Sequence, residues 1–358
     1  MTRLKNKVDF PEGINQHIEG VLQSFGETKP KSITGYELLK QDNDEIPCLV
    51  DGLLQSVGIG AVVGSSDTGK SSFLRQLATA IAIRQPEFLG WTINAIYHRA
   101  IYVSTEDDER AVSFLLKKQA KGRRVSDELY KNLRFVFETD KLLETLESLL
   151  EESRVDLIVI DAFSDLFIGQ MNANNEVRGF LNKYSQLAQK YECLILFLHH
   201  TGKRTEQLEP SKNNVIGSQG FEAKMRILIE LRQDFMEKNY RHLCVVKGNY
   251  LPKEMKTESF VLWFDENMVF DNTARRAPFE SLVKPETDNS DKQDFDNLEA
   301  LIGQGRSQNK AAEQLGISKS RASRLMVKFK GVSQVFQSET VGETVNEEEA
   351  ETDKTTLF

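Results

Sequence analysis

One short stretch limits what this chain can fold into more than any other feature. The apolar run Ile59–Val63 predicts a buried strand, and the sequence after it matches the pattern G-x-x-x-x-G-K-S. Residues Phe73–Arg84 then carry apolar side chains at helical spacing. A strand, a glycine-rich loop and a helix in this order are the context that a phosphate-binding P-loop requires. The chain is therefore expected to bind a nucleoside triphosphate.

The parts of this loop have predicted roles in holding phosphate. Glycines let the backbone curl so that successive N–H groups face one anion, and the helix that follows adds its positive end. Lys70 is expected to reach the β- and γ-phosphates, and the hydroxyl of Ser71 is expected to bind Mg²⁺. The predicted nucleotide-binding residues are Gly64, Ser65, Ser66, Asp67, Thr68, Gly69, Lys70, Ser71 and Ser72.

Composition excludes several classes of protein. A net charge of −8 over 358 residues argues against a uniformly basic nucleic-acid wrapper, so any contact with DNA must come from local patches. The three cysteines are far apart, which favours a reducing compartment. The first residues contain no apolar signal segment, and the longest apolar runs are too short to span a bilayer. We expect a cytoplasmic protein without a membrane partner.

Strand and helix patterns alternate after the P-loop, which predicts an α/β fold with a mostly parallel central sheet. The apolar run Asp156–Asp161 has the composition of a central parallel strand. Three later runs without helices between them predict antiparallel or edge strands: Met225–Leu231, Leu243–Lys247 and Phe260–Phe264. The predicted divisions are an N-terminal arm (1–45), a nucleotide-binding domain (46–270), a linker (271–293), a small helical module (294–330) and an acidic disordered tail (331–358).

Carboxylates at strand ends are candidates for the chemistry of hydrolysis. Asp161 ends its strand, where it can accept a water bound to Mg²⁺; capping of the next helix is the alternative. Glu106 follows the strand Ile101–Thr105 and is a candidate to polarise the attacking water. Asp107 and Asp108 are rival candidates, and any of these acids could instead cap a helix.

Two adjacent histidines, His199 and His200, follow another buried strand. They could sense the γ-phosphate or have a structural role. Metal binding by them is disfavoured, because no cysteine or third histidine stands near them in the sequence.

The runs GSSDTGKSS, IYVSTED, DLIVIDAFSD, LILFLHHTGK and IGSQGFEAKMRILIEL, in this order, resemble the RecA-like ATPases of the plasmid RepA type. These are ring-shaped replicative helicases and their relatives on mobile elements, and the resemblance covers about residues 45–270. It implies a RecA-like fold, ATP and Mg²⁺ as cofactors, DNA as partner and a homo-oligomeric ring, in this family a hexamer.

The resemblance also implies roles for particular residues. Glu106 would be the catalytic base, His200 or its neighbour His199 the γ-phosphate sensor, and Arg226 an arginine finger. Lys224 would complete the K-x-R pair of DnaB-like helicases. The family has an arginine where this chain has Ile216, so contacts there are expected to differ.

In the resembled family, the loops that correspond to Phe163–Asn175 and Thr201–Val215 face the channel of the ring. The second loop carries Lys203, Arg204 and Lys212, which could follow the backbone of single-stranded DNA. A solvated lid over the nucleotide is the alternative for this loop.

A second nucleic-acid signal lies in residues 294–330, whose apolar spacing predicts three helices. Gly316 is expected at the turn between the last two, and Ser318 is expected to cap the third. Small residues at the crossing and a basic third helix indicate a helix-turn-helix that binds duplex DNA. Its predicted DNA-contacting residues are Lys319, Arg321, Arg324 and Lys328, with Lys330 also exposed. A protein-docking unit is the alternative.

These features together favour an ATP-driven DNA motor, a RepA-like replicative helicase or initiation ATPase. A RecA- or RadA-like enzyme that remodels DNA without unwinding it is the first alternative. A DNA-binding regulator in which ATP sets only the oligomeric state is the second.

Overall fold

The computed structural model describes residues 32–41, 45–202, 205–217, 219–284 and 288–339. The chain divides into two compact units, Met1–Pro47 and Cys48–Phe358. The described part of the first unit contains helix α1 (Gly35–Leu39), which begins with a capping box between Thr34 and Glu37. Most of the N-terminal arm predicted over residues 1–45 lies outside the described residues.

In the second unit, strands and helices alternate first and strands then follow one another. The described strands are β1 (Cys48–Val50), β2 (Leu54–Gln55), β3 (Gly58–Gly64), β4 (Glu87–Phe88), β5 (Trp91–Thr92), β6 (Ala100–Ser104), β7 (Leu133–Val136), β8 (Leu157–Asp161), β9 (Leu194–His200), β10 (Ile227–Gln233), β11 (Tyr240–Gly248), β12 (Glu258–Phe264) and β13 (Phe270–Pro278). The described helices are α2 (Lys70–Ala82), α3 (Glu109–Ala120), α4 (Leu142–Glu152), α5 (Phe163–Leu166), α6 (Asn174–Tyr191), α7 (Gln219–Lys224), α8 (Asp288–Gly303), α9 (Gln308–Gln314) and α10 (Lys319–Glu339).

One sheet of nine strands organises this unit. Its order is β13-β12-β11-β10-β3-β9-β8-β6-β7. The strands from β10 to β7 are parallel, whereas β11, β12 and β13 pair antiparallel. The predicted α/β class with a mostly parallel sheet is therefore confirmed.

Alternate side chains of each strand point to opposite faces of the sheet. Both faces are apolar, and each is covered by one buried cluster. In β3, Val62 belongs to the buried cluster that includes Leu77 of α2. Its neighbours Ala61 and Val63 belong to the opposite cluster, which includes Leu181 of α6. A strand that buries both faces is expected to be apolar along its length. Strand β3 is, and β8 and β9 are apolar up to the polar residues at their carboxyl ends.

Of two predictions about the second half of the sheet, one was right only in part and one was wrong. The run Met225–Leu231 was expected as an antiparallel or edge strand. Strand β10 does pair antiparallel with β11, but it is parallel to β3 on its other side and lies inside the sheet. Residues 271–293 were expected to form a linker, but Phe270–Pro278 is the edge strand β13. Phe279 and Leu282 then pack against Cys244 of β11. An edge strand needs only one paired side and one buried face, so its polar composition concealed it.

The three-helix unit differs from its prediction in length. Helix α8 begins at Asp288, before the predicted boundary at residue 294, and α10 continues to Glu339, into the predicted disordered tail. Residues 340–358 of that tail lie outside the described residues. No helix in the described ranges has both the length and the hydropathy to cross a membrane.

Candidate nucleotide-binding site

Four parallel strands bring functional side chains to the same edge of the sheet. Strand β3 ends at Gly64 before the P-loop, Glu106 follows β6, Asp161 ends β8 and His200 ends β9. Glu106, Asp161 and His200 line one cavity of about 420 Å³ together with P-loop residues. The P-loop residues in its wall are Ser66, Asp67, Gly69, Lys70, Ser71 and Ser72.

The P-loop requires glycine at both ends. A Cβ at Gly64 would lie 2.3 Å from the carbonyl oxygen of Leu231, which leaves no room for any side chain. Gly69 has a φ of +90°, and a Cβ there would lie 2.9 Å from the Phe270 ring. These contacts explain why the motif has glycine at these two positions.

Lys70 places a buried cation inside the loop. Its Nζ donates to the carbonyl oxygen of Ser65 at 2.6 Å. Burial lowers the pKa of Lys70 to about 8, although Asp161 and Glu106 act to raise it. A buried ammonium at the N-terminus of α2 is a site suited to an anion.

Asp161 and Ser71 supply oxygen ligands beside this cation. The Asp161 carboxylate accepts hydrogen bonds from the Tyr102 hydroxyl at 2.6 Å and from the Ser71 hydroxyl. Burial raises the pKa of Asp161, while both hydrogen bonds act to lower it. Hydroxyl and carboxylate oxygens fit Mg²⁺, which is usually held by one or two carboxylates, water and substrate phosphates. The described ranges contain no group of three or more His, Cys, Asp or Glu arranged as a metal cage.

The three rival acids after β6 occupy different positions. Asp108 is the N-cap of α3, where its carboxylate accepts from the backbone N–H of Ala111 at 2.8 Å. Glu106 and Asp107 both line the cavity. Burial raises the pKa of Glu106, and the charge of Asp165 raises it further. A carboxylate with a raised pKa in this position is suited to accept a proton.

The two histidines lie on opposite faces of β9. His200 lines the nucleotide cavity. His199 is 1% exposed, packs between the rings of Phe163 and Phe221, and lies 2.8 Å through Nε2 from the carbonyl oxygen of Ile216. Burial lowers the pKa of His199 to about 4, so its ring is neutral at pH 7. Of the pair, only His200 is in position to face a nucleotide.

The loop after β9 is held to the sheet by a buried ion pair. Arg232 donates to Glu230 at 2.7 Å, and both are buried in β10. Arg232 also donates to the carbonyl oxygens of Leu208 and Thr205, at 2.6 and 3.1 Å. The other Glu230 oxygen accepts from the Asn214 amide at 3.1 Å. Both ends of the loop are thereby attached to one strand.

We expect Arg232→Met to destabilise the protein by about 3–5 kcal/mol, because it leaves a buried carboxylate without its partner. The free energy of unfolding in urea measures this loss. Arg134→Met is the matched control, because it breaks the Arg134–Glu152 pair, whose side chains are 43% and 60% exposed. The control should unfold at the wild-type urea concentration. Equal behaviour of the two variants would contradict the structural role of Arg232.

The candidate DNA-contacting residues of this loop are only partly described. Lys203 and Arg204 lie outside the described residues. Lys212 forms an ion pair with Glu222 of α7 at 3.3 Å. The Lys212 side chain is half exposed.

Lys224 and Arg226 lie at the edge of the sheet opposite the P-loop. Lys224 ends α7, and the backbone N–H of Arg226 pairs with Ile59 near the start of β3. The Arg226 side chain contacts Gly58 and donates to the Tyr250 hydroxyl at 3.3 Å. Neither residue can therefore be grouped with Lys70, Glu106 and Asp161 within one copy of the chain.

The sequence suggested that the basic residues of α10 form one exposed group, but in the structure two of them pair with acidic residues. Arg321 pairs with Asp291 at 3.1 Å and with Asp294 at 2.9 Å, and Lys328 lies 3.6 Å from Asp291. These carboxylates belong to α8, about thirty residues earlier, so the α10 pattern alone could not reveal the pairing. Lys319 and Arg324 are exposed.

Three residues near the site had no sequence signal of their own. Tyr102 contacts Asp161 from the middle of an apolar strand. Arg241 of β11 donates to the P-loop carbonyl oxygen of Thr68 at 3.0 Å. Glu206 accepts from the Ser65 hydroxyl at 2.8 Å. All three depend on contacts with residues that are distant in the sequence.

Comparisons with known proteins agree with this geometry. Residues 30–206 match the family model described as AAA domain. Many solved structures are similar to this one. One of them, the ATPase domain of the protein G-40-P, has a TM-score of 0.50 and 14% sequence identity, over 74% of this chain and 99% of that chain. No curated protein matches the sequence. The sheet order, the P-loop and the structural match show that the chain has the RecA-like P-loop NTPase fold.

Proposed function

We propose that this chain is an ATP-driven DNA motor, a RepA-like replicative helicase or initiation ATPase that works as a ring of identical subunits. The observation that carries the proposal is the single cavity that collects Lys70, Ser71, Asp161, Glu106 and His200. The sequence resemblance to ring helicases supports a hexamer and a mobile-element origin, and the sparse cysteines support a cytoplasmic location.

The residues of the cavity divide the work of hydrolysis. Lys70 neutralises charge on the β- and γ-phosphates, and Glu106 accepts a proton from the attacking water. Asp107 is the alternative base. His200 contacts the γ-phosphate and so distinguishes ATP from ADP. Ser71 and Asp161 would hold Mg²⁺, which would supply further neutralisation of phosphate charge.

Two further elements complete the proposal. Arg226, with Lys224, acts on nucleotide bound by the next subunit of the ring. Single-stranded DNA passes the loop that contains Lys203, Arg204 and Lys212, and duplex DNA binds the α8–α10 unit. The buried attachment of that loop to β10 supports a rigid contact rather than a free lid.

A regulator in which ATP sets only the oligomeric state is the second candidate, because the basic α9–α10 pair could bind duplex DNA without any motor. A remodelling ATPase without unwinding is the third. ATP turnover that rises with single-stranded DNA favours the motor or the remodeller, and strand displacement separates these two.

The deciding experiment measures displacement of a labelled strand from a forked duplex at saturating ATP and Mg²⁺. We expect displacement by the wild type and none by Glu106→Gln, whose amide cannot accept the proton. Turnover stimulated by single-stranded DNA without displacement would favour the remodeller. Negligible turnover with tight duplex binding would favour the regulator.

A further inference from the structure

The α8–α10 unit separates its charges between its two sides. Residues 307–330, which contain α9 and the first half of α10, carry six basic side chains and one acidic side chain. Helix α8 carries five acidic side chains and one basic side chain, Lys292. A polyanion is attracted to the first surface and repelled by the second, so α8 is the side that faces away from it.

Two of the basic residues of α10 are paired with carboxylates of α8. Arg321 contacts Asp291 and Asp294, and Lys328 contacts Asp291. Phe295 of α8 packs against Phe329 of α10, with the ring planes tilted by 32° and the ring centroids 5.1 Å apart. The charged contacts therefore lie beside a packed contact and fix α10 against α8. Arg321 is therefore a positioning residue, and Lys328 takes part in the same contact although its side chain is 48% exposed.

The opposite face of α10 includes four exposed residues, Ser320, Ser323, Arg324 and Val327. Their spacing places them on one side of the helix, opposite the buried Ala322 and Leu325. The Ser318 hydroxyl accepts from the backbone N–H of Arg321 at 3.2 Å and so caps the helix just before this face. Gly316, with a φ of +66°, makes the turn from α9.

Arg324 and Val327 are the two members of this face that can distinguish bases. Arg324 uses Nε to donate to Ser320, and no described residue accepts from its two terminal nitrogens. A free guanidinium fork matches O6 and N7 of guanine in the major groove. Val327 is 76% exposed, so its methyl groups are available for contact with a thymine methyl group.

We propose that Arg324 and Val327 read the sequence of duplex DNA, Arg324 at a guanine and Val327 at a neighbouring thymine. This rests on the proposed function, in which the α8–α10 unit binds duplex DNA. Three residues advance a helix by about 4.5 Å, close to the ~3.4 Å spacing of bases along one strand. The guanine and the thymine therefore lie one or two base pairs apart.

The test uses the full-length chain without ATP and a pool of 30-base-pair duplexes with a randomised centre. Selected duplexes are expected to share a guanine and a thymine at this spacing. Replacing that guanine by 7-deazaguanine removes N7, and replacing the thymine by uracil removes the methyl group. We expect each change to weaken wild-type binding, the first by roughly fivefold or more. Arg324→Ala should bind the original duplex more weakly and be insensitive to 7-deazaguanine, and Val327→Ala should be insensitive to uracil.

Two control variants distinguish recognition of bases from a general effect of charge and from a loss of stability. Lys292→Ala removes one positive charge from the far side and should leave affinity and preference unchanged. Arg321→Gln should lower the melting temperature of the protein but keep the sensitivity of binding to 7-deazaguanine. If Arg324→Ala retains the wild-type sensitivity, or the wild type binds all duplexes equally, the reading residues are wrong while duplex binding stands. If the wild type binds no duplex, the proposed role of the unit fails as well.

Discussion

Replacing Lys70 with alanine is expected to abolish ATP turnover while the protein stays folded. The ammonium is the one cation buried in the P-loop itself, and its loss leaves the charge of the β- and γ-phosphates uncompensated there. Removing a single preorganised stabilising group typically lowers kcat by about 10²–10³. Loss of the phosphate contact in the ground state lowers nucleotide affinity in addition. We therefore expect turnover in a coupled phosphate-release assay to fall to background.

The same variant should remain folded, because Lys70 makes a single described hydrogen bond, to the Ser65 carbonyl oxygen. Loss of one such bond typically costs about 1 kcal/mol. ATP at a hundred times its Kd should raise the free energy of unfolding of the wild type by about 2.7 kcal/mol. The resulting rise in melting temperature should be absent in the variant. Lys121→Ala, which removes an exposed lysine after α3, should keep both turnover and thermal shift. Substantial turnover by Lys70→Ala would show that this loop is not the catalytic P-loop.

The nucleotide site could be predicted from sequence because its residues follow from two local rules. Parallel strands end at one edge of a sheet, so residues that end successive buried strands must meet there. Glu106, Asp161 and His200 obey this rule and reach one cavity. The strand pattern could not choose between His199 and His200, because the neighbouring side chains alternate faces and only the packed structure shows which face holds the cavity.

The features that escaped prediction depend on partners distant in sequence. Strand β13 has few buried residues and depends on its pairing with β12. It also depends on Arg276, whose guanidinium lies 3.9 Å from the centre of the Phe260 ring. In the same way, the exposure of Arg321 was misjudged because its partners lie on another helix. A pattern within one element cannot show a charge pair between two elements.

Arg226→Ala is expected to reduce turnover by about 10³–10⁵, the usual contribution of an arginine finger. The structural alternative, in which Arg226 forms an ion pair with Glu222 or Glu230, is disfavoured because both carboxylates already have basic partners. Glu222 is paired with Lys247 at 3.0 Å and with Lys212, and Glu230 is paired with Arg232. Arg226 is instead at the edge of the sheet opposite the P-loop, where its described hydrogen bond is to an exposed tyrosine. A guanidinium in that position can reach a nucleotide only if the nucleotide belongs to another subunit.

Mixing two inactive proteins tests this directly. Lys70 and Glu106 line one cavity of one chain, whereas Arg226 would come from the next subunit. When Arg226→Ala and Glu106→Gln subunits assemble together, some interfaces join an intact Glu106 to an intact Arg226. With random mixing in a ring of identical interfaces, about one quarter of all sites should be intact. Turnover of the mixture should therefore rise far above either variant alone.

Two further mixtures serve as the positive and the negative control. Arg226→Ala mixed with Lys70→Ala should recover activity to the same extent, because Lys70 and Arg226 would again come from different chains. Glu106→Gln mixed with Lys70→Ala should recover none, because each site would then lack one of two residues that the same chain supplies. Co-purification through a tag on one variant verifies that mixed assemblies form. If they form and no mixture exceeds its components, Arg226 does not act across an interface. If all three mixtures recover activity to the same extent, recovery does not depend on which residues share a chain. The assignment of Glu106 and Lys70 to one chain is then wrong.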